Sequence, residues 1–333
     1  MIEILDCTLR DGAHVNEGKF TKVDFSLIFE ALNKVKIDYV ELGFLEPGHP
    51  SDALSYFKSI ADMEEIIDEF GYGSQKYGFL LRTDRCKIDE IKGSRKLEFC
   101  RIAMYPEHEE EISKYAKTII DNGYKLFLNP IGITTLSKDE IVRAIEICNE
   151  VGADTLSIVD TNGALDKRSF RNILELLELT LNPSCSIGIH LHENLNRCQL
   201  LIDFLLENKS SHRNYVIDAS LNGMGRIPGN CPLELLLLNI RETIKKDYES
   251  GDLYEVIQHL RDQYFDKNPW GYSIIYAESA RLNINRSYPE FLKSQGMNTS
   301  EIVKYLSEVG KTEKKFRFDK NFALKLIKET IGS

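Results

Sequence analysis

Eight short β-rich runs alternate with longer helical patterns over roughly the first 245 of 333 residues, and few folds accommodate that order. The runs are IEILDCTL, YVELGF, YGFLLRT, LEFCRIAMY, KLFLNPI, DTLSIVD, CSIGIHLH and YVIDASLN. Between them lie amphipathic helices. In the first, Phe25, Ile28, Leu32 and Val35 recur at helical spacing behind Thr21 and Asp24, a capping-box pair. Another begins at Ser137 with Glu140 three residues on, followed by the stripe Ile141, Ala144, Ile145 and Cys148. The last, NCPLELLLLNIRETI, follows the eighth run. Eight such units match the length of a closed (β/α)8 TIM barrel, typically about 250 residues, so an α/β barrel is expected over 1–245. The competing open doubly wound sheet would carry a G-x-G-x-x-G turn after its first strand, and the chain has none there. Beyond about residue 246 the strand signal stops. LYEVIQHLRDQY, YSIIYAESARL, PEFLKSQ, SEIVKYLSEV and FALKLIKET read as helices, with the turn NPWG between the first two, which gives a helical C-terminal region over 246–333.

Composition narrows the function classes. A formal net charge of −10 leaves no basic footprint for nucleic acid. KTEKKFRFDK, the most basic stretch, reads as a solvated face. The longest apolar run, LELLLLNI, is far short of the ~18 residues that a membrane span needs. MIEILDCTLRDG has neither the basic nor the apolar region of a signal peptide. The seven cysteines form no Cys-x-x-Cys pair, and an odd number argues against a disulfide framework. A soluble protein of the reducing cytoplasm is the expectation, with a homo-oligomer left open.

GIHLHEN, at residues 188–194, holds two of the seven histidines. Strand alternation puts Ser186, Gly188, His190 and His192 on one face and Ile187, Ile189 and Leu191 on the other. In a barrel the apolar face meets the outer helices, while the opposite face carries two imidazoles toward the C-terminal end, where such barrels place their active sites. Two histidines so placed could share an ion through their Nε2 atoms. The plainer reading is two polar residues at a strand end. Barrel closure sets the first strand two places from the seventh, so Asp11, in LDCTLRDGAH, could add a carboxylate; Asp-Gly alone would be a turn. In NGMGRIPGN, after the eighth strand, glycines permit a tight loop and Asn230 could offer an amide oxygen, or merely start a helix.

Together LDCTLRDG, VDTNG, HLH and NGMGRIPGN resemble the metal-dependent aldolase, lyase and acyl-transfer superfamily of hydroxymethylglutaryl-CoA lyase, 2-isopropylmalate synthase and 4-hydroxy-2-oxovalerate aldolase. The resemblance spans the barrel and implies the same (β/α)8 fold. It implies that Asp11, His190 and His192 bind a divalent metal, with Asn230 a further ligand, and that Arg10 steadies an enolate oxygen. Such a mixed set suits Mn²⁺ first, with Mg²⁺ or Zn²⁺ as alternatives. The synthases usually read LRDG-Glu-Gln, whereas this chain reads LRDGAH, similar to the aldolases, which places the base that takes the hydroxyl proton at His14. NPWGYSIIYAESA resembles the segment that brings an aromatic hydroxyl to the barrel mouth, with Tyr272 the better aligned and Tyr276 the other candidate; either could be helix packing. Glu41, Asp160 and Asn162, at strand ends, are expected to orient ligands or substrate, and Asp218 either belongs with them or only satisfies polar needs inside the barrel. The expected activity is that of a carbon–carbon lyase, a metal-dependent aldolase acting on a small 2-oxo acid through a pyruvate-type enolate. The alternatives are an acyl-CoA-dependent Claisen synthase and a non-catalytic metal-binding scaffold. A base such as His14 would give activity that rises with pH through roughly 6 to 7, unless the metal shifts it.

Overall fold

The computed structural model describes residues 1–50, 53–71, 73–244 and 250–331. Among these, eight parallel strands close into a barrel: β1 Ile2–Asp6, β2 Tyr39–Leu45, β3 Lys76–Leu81, β4 Leu97–Met104, β5 Lys125–Pro130, β6 Thr155–Asp160, β7 Ser186–Leu191 and β8 Tyr215–Ala219. Each pairs with the next in sequence, and β1 closes the ring by pairing with both β8 (Ile4 with Ile217) and β2 (Leu5 with Tyr39). A two-residue strand, Tyr56–Phe57, adds to the end of β2.

The helices follow the sequence pattern with one exception. α1 (Lys22–Lys34) starts at the Thr21–Asp24 capping box, and its buried stripe contains Phe25, Ile28 and Leu32. α2 (Ile60–Phe70) follows β2, α3 (Glu109–Asp121) follows β4, and α4 (Lys138–Val151) starts at the Ser137–Glu140 capping box. α5 (Lys167–Thr180), α6 (Cys198–Asn208) and α7 (Leu233–Ile244) complete the ring. Between β3 and β4, however, the expected helix is absent and one 3₁₀ turn, Ile88–Glu90, stands in its place. That connection contains Gly93 and no sustained apolar stripe at helical spacing, so nothing in it favours a longer helix.

Strand alternation sorts the interior into layers. At the bottom, Leu5, Cys7, Tyr39, Phe99, Phe127 and Val216 form an apolar plug, in which the Phe99 and Phe127 rings stack at 5.1 Å. Two residues further along the same strands stand Glu41, Arg101 and Asp218, all buried. Above them opens the mouth. Gly188 lets β7 pass close to β6, since a Cβ there would lie 2.2 Å from Ser157 Oγ.

The expected boundary at 245/246 falls outside the described residues. The barrel's apolar cluster takes in Leu253, Val256 and Leu260, where α8 (Tyr254–Leu260) packs, and Trp270. A separate cluster starts at Ile275 and joins α9 (Ile274–Arg281), α10 (Ser287–Ser294), α11 (Thr299–Val309) and α12 (Lys320–Ile331). Among the described residues, no helix is long and apolar enough to cross a membrane.

Candidate active site

β1 ends at Asp6 and the chain turns into two short helical turns, Thr8–Asp11 and Ala13–Asn16, rather than an open loop. Asp6 sets this turn by accepting from the Thr8 amide and hydroxyl at 3.0 and 2.8 Å. The turn aims Arg10 and Asp11 over the barrel axis. β7 brings His190 up from below, and His192 follows just past the strand end. Candidate ligand atoms of Asp11, His190 and His192 lie within 4.8 Å of one another, and all three residues are buried.

The loop after β8 supplies the fourth group. It runs antiparallel to the end of β7, with His192 bridged to Asn230 and the Glu193 amide donating to Gly229 O at 2.9 Å. Asn230 therefore lies inside the site; the helix after it, α7, begins only at Leu233. Its Nδ2 donates to Asp11 Oδ2 at 2.6 Å, which leaves Oδ1 buried without a partner; His192 Nδ1 is also buried and unpartnered. Buried polar atoms rarely go unsatisfied. A cation ringed by two imidazoles, a carboxylate and an amide oxygen would satisfy both, so the residues present fit a divalent ion. Gly225 gives the cradle its room: a Cβ there would sit 2.2 Å from Asn230 Nδ2 and 2.4 Å from Asp11 Oδ2.

A chain of buried charge fixes these groups. Arg10 Nε donates to Glu41 Oε2 at 2.7 Å and its Nη1 to Asp11 Oδ1 at 2.5 Å. Arg101 forks onto Asp218 at 2.6 and 3.0 Å and lies 3.6 Å from Glu41. Asp218 Oδ2 in turn meets His190 Nδ1 at 2.9 Å, which commits that nitrogen and leaves Nε2 for a ligand. Two arginines face three carboxylates, so the network carries one net negative charge, a further fit to a cation. Burial would raise the Asp11 carboxyl, but Arg10 and the imidazoles outweigh it and hold Asp11 well below the usual carboxylate range. Burial would likewise raise Asp218, and Arg101 with His190 bring it down to about 2.

His14 lines the same 370 Å³ cavity, with Nε2 3.9 Å from Asp11 Oδ1 and its ring edge-on to Phe44. Desolvation, opposed by Asp11 but helped by Arg226 and Arg10, lowers its imidazole to about 4. This moves the expected titration below the range of 6 to 7. Tyr272 is not brought to the cavity: it precedes α9 and is 63% exposed. Tyr276, one turn into α9, is buried, and its hydroxyl feels the charges of Glu290, Arg286 and Arg226. Glu41 touches the site only by holding Arg10 and Arg101. Asp160 turns away from it and accepts from the Ala164 and Leu165 amides, each at 2.9 Å. Asn162 is spent on the backbone of Arg286, whose amide donates to its Oδ1 at 3.3 Å.

Sequence reasoning passed over Arg101, Arg226 and Arg286. Arg101 did leave a signal, a lone cation inside the apolar strand LEFCRIAM. Arg286 left none, because its approach depends on the path of the C-terminal helices.

Comparison with known proteins gives the same frame. Residues 1–260 match the HMGL-like family. The chain is 26% identical over 296 residues to a 4-hydroxy-2-oxovalerate aldolase of Geobacillus genomosp. 3, a match covering 87% of this chain and 85% of that protein. It is 25% identical over 271 residues to a homocitrate synthase of Pyrococcus abyssi, covering 76% and 69%. The HMG-CoA lyase from Brucella melitensis shares the fold, with a TM-score of 0.60 at 15% identity over 79% of this chain and 98% of that one. By the length of the family match and the barrel that carries it, the chain belongs to the HMGL-like family.

Proposed function

We propose that the protein is a divalent-metal-dependent aldolase, a carbon–carbon lyase that makes or breaks a bond next to a 2-oxo acid through a pyruvate-type enolate. The observation that carries this reading is the convergence of Asp11, His190 and His192 beside Arg10 and His14 at one end of the barrel. Asp11, His190, His192 and Asn230 would hold the ion, with Mn²⁺ the first to test and Mg²⁺ or Zn²⁺ as alternatives. When bound, it would supply Lewis-acid charge to the oxo-acid head.

The chain's own groups do the rest. Arg10 is fixed by Glu41 and Asp11 and presents permanent charge where the enolate oxygen develops, with no reorganisation at the moment of reaction. His14 is neutral at physiological pH, so it can take the hydroxyl proton in cleavage and return it in the aldol direction. Phe44, Leu80 and Ala103 line the cavity with apolar surface, which limits water around the reacting carbon. The partner is a small oxo acid in this reading. The proposal extends to a cytoplasmic enzyme, supported by seven free, buried cysteines, to the division into a catalytic barrel (1–245) and a helical region (246–333), and to a homo-oligomer.

The homocitrate synthase relative, nearly as similar as the aldolase, keeps the Claisen reading as the alternative. The test offers Mn²⁺-loaded protein a panel of 4-hydroxy-2-oxo acids and follows oxo-acid release, then offers acyl-CoA plus oxo acid and follows free thiol. Cleavage is expected, with Arg10→Ala lowering kcat by ~10²–10³. Thiol release without any cleavage would move the protein to the synthase branch.

A further inference from the structure

The cavity mouth contains more cationic charge than the reaction above uses. Arg226, from the loop after β8, and Arg286, just ahead of α10, both line it. Both are tied to one carboxylate: Arg226 Nε and Nη2 donate to Glu290 at 3.1 and 2.8 Å, and Arg286 Nε donates to Glu290 Oε1 at 3.3 Å. Two guanidiniums against one carboxylate give the cluster one excess positive charge, with Asp11 the nearest further anion. The other arginines of the rim are not in this position, since Arg82 forks onto Asp84 and Arg85 pairs with Glu46.

The pair is built rather than incidental. Arg286 is 3% exposed, and its Nη2 donates to Ile227 O at 2.5 Å while Asn162 anchors its backbone. Burial, joined by the neighbouring Arg226, lowers its pKa to about 10. Donor capacity remains: among the described residues Arg226 Nη1 has no hydrogen-bond partner, and Arg286 Nη1 reaches only Thr161 O at 3.5 Å. The Arg226 amide lies 3.4 Å from Asp11 Oδ2, so the pair adjoins the ligand cluster.

We propose that Arg226 and Arg286 form a subsite for a second anionic group, a carboxylate or a phosphate, on the part of the substrate distal to its 2-oxo-acid head. One such group closes the charge balance of the Arg226–Glu290–Arg286 cluster. The inference rests on the aldolase reading for the head, and it names the substrate class as a 2-oxo acid with an anionic tail.

The test is a calorimetric titration of Mn²⁺-loaded protein with three ligands of matched length: 2-oxoglutarate, 2-oxo-4-phosphonobutanoate and the neutral-tailed 2-oxopentanoate. At least one anionic tail is expected to bind on the order of tenfold tighter than the neutral one, as for hydrogen bonds to charged groups. Which of the two wins separates carboxylate from phosphate. The preference should fall toward one in Arg286→Gln and be partly kept in Arg286→Lys, which retains the charge but loses the fork. Equal affinity for all three ligands in the unmodified protein, or no binding by any, overturns the proposal without reference to a variant. Uniform weakening of all three in Arg286→Gln also overturns it, because the arginines would then serve the head carboxylate. If the tail preference holds but no hydroxy-oxo acid is cleaved, the aldolase reading falls and the subsite stands. If neutral-tailed substrates are cleaved without any tail preference, the reverse holds.

Discussion

The barrel mouth and the C-terminal helices are stabilised in different ways. At the mouth, charges are chained: Arg10 to Glu41, Glu41 beside Arg101, Arg101 to Asp218, Asp218 to His190. Each group is placed by the next, and most have a second charged partner, Arg10 in Asp11 and Asp218 in both Arg101 and His190. The C-terminal cluster is apolar, built from Ile284, Tyr288, Leu292, Ile302, Tyr305, Leu306 and Val309, with phenol hydroxyls such as Tyr305 spent on backbone oxygens. Among the described residues it meets the cavity through Arg286, which Glu290 of α10 pairs. The difference separates two tasks. The barrel holds reacting groups in fixed geometry, and the helices hold a wall whose chemistry can change without disturbing that geometry.

The sharpest way to break this comparison is to remove a ligand. His190→Ala and His192→Ala should each abolish tight binding of one divalent ion per chain and turnover with it, measured by elemental analysis after reloading with Mn²⁺. Equal metal content in the unmodified protein and both variants would dissolve the site. Next is Arg101→Met, which takes both guanidinium bonds from buried Asp218 and leaves it only His190, and which should cost about 3–5 kcal/mol in urea unfolding. Leu306→Ala, in the second cluster, should cost ~2–5 kcal/mol by cavity formation yet leave metal content unchanged; loss of metal there would show that the two regions are not separable.

The pH profile is a finer probe. With the His14 imidazole lowered to about 4, its neutral form dominates from pH 5 upward, so cleavage should not rise between pH 6 and 7 on its account. A bound cation would push the value further down. Protonation below about 4 removes the base, which places the acid limb there, measurable as kcat/KM against pH in the unmodified protein and in His14→Ala. A limb near 6.5 that vanishes in His14→Ala would show a base with an unshifted imidazole, in keeping with the 35% exposure of its side chain. The smallest effect is reserved for Tyr272→Phe, which should leave kcat/KM within about twofold, as surface changes usually do.

What could be read from sequence followed the strand period. His190 and His192 alternate with Ile187, Ile189 and Leu191, so their shared face and their end of the barrel were visible before any coordinates. Asp11 was legible from barrel closure, although its helical turn was not. Asn230 was ambiguous between cap and ligand because its place beside His192 depends on the antiparallel run along the end of β7. The choice between the two tyrosines was not legible: the helix begins at Ile274, so Tyr272 falls in the exposed turn ahead of it and Tyr276 on the buried face. The convergence of Arg226 with Arg286 has no local signature, since it joins residues far apart in sequence through tertiary packing alone.

The missing third helix has one more consequence. The segment from Arg82 to Lys96, which brings Arg82 and Arg85 to the cavity rim, has no helix of its own to pin it. It is tied by two phenols from the next unit, by Ser94 and by its buried Cys86 and Ile91: Tyr115 donates to Thr83 O and Cys86 O at 3.1 and 2.7 Å, Tyr124 to Lys92 O at 2.5 Å, and Ser94 Oγ to Glu64 at 2.6 Å. Such bonds contribute about 0.5–1.5 kcal/mol each, far less than a packed helix face. In hydrogen–deuterium exchange this segment should therefore open ahead of the rest of the barrel, as a separate low-stability unit. An opening of this segment that is slower than that of its neighbours would show that Cys86 and Ile91, buried in the barrel core, pin the rim more firmly than its hydrogen bonds.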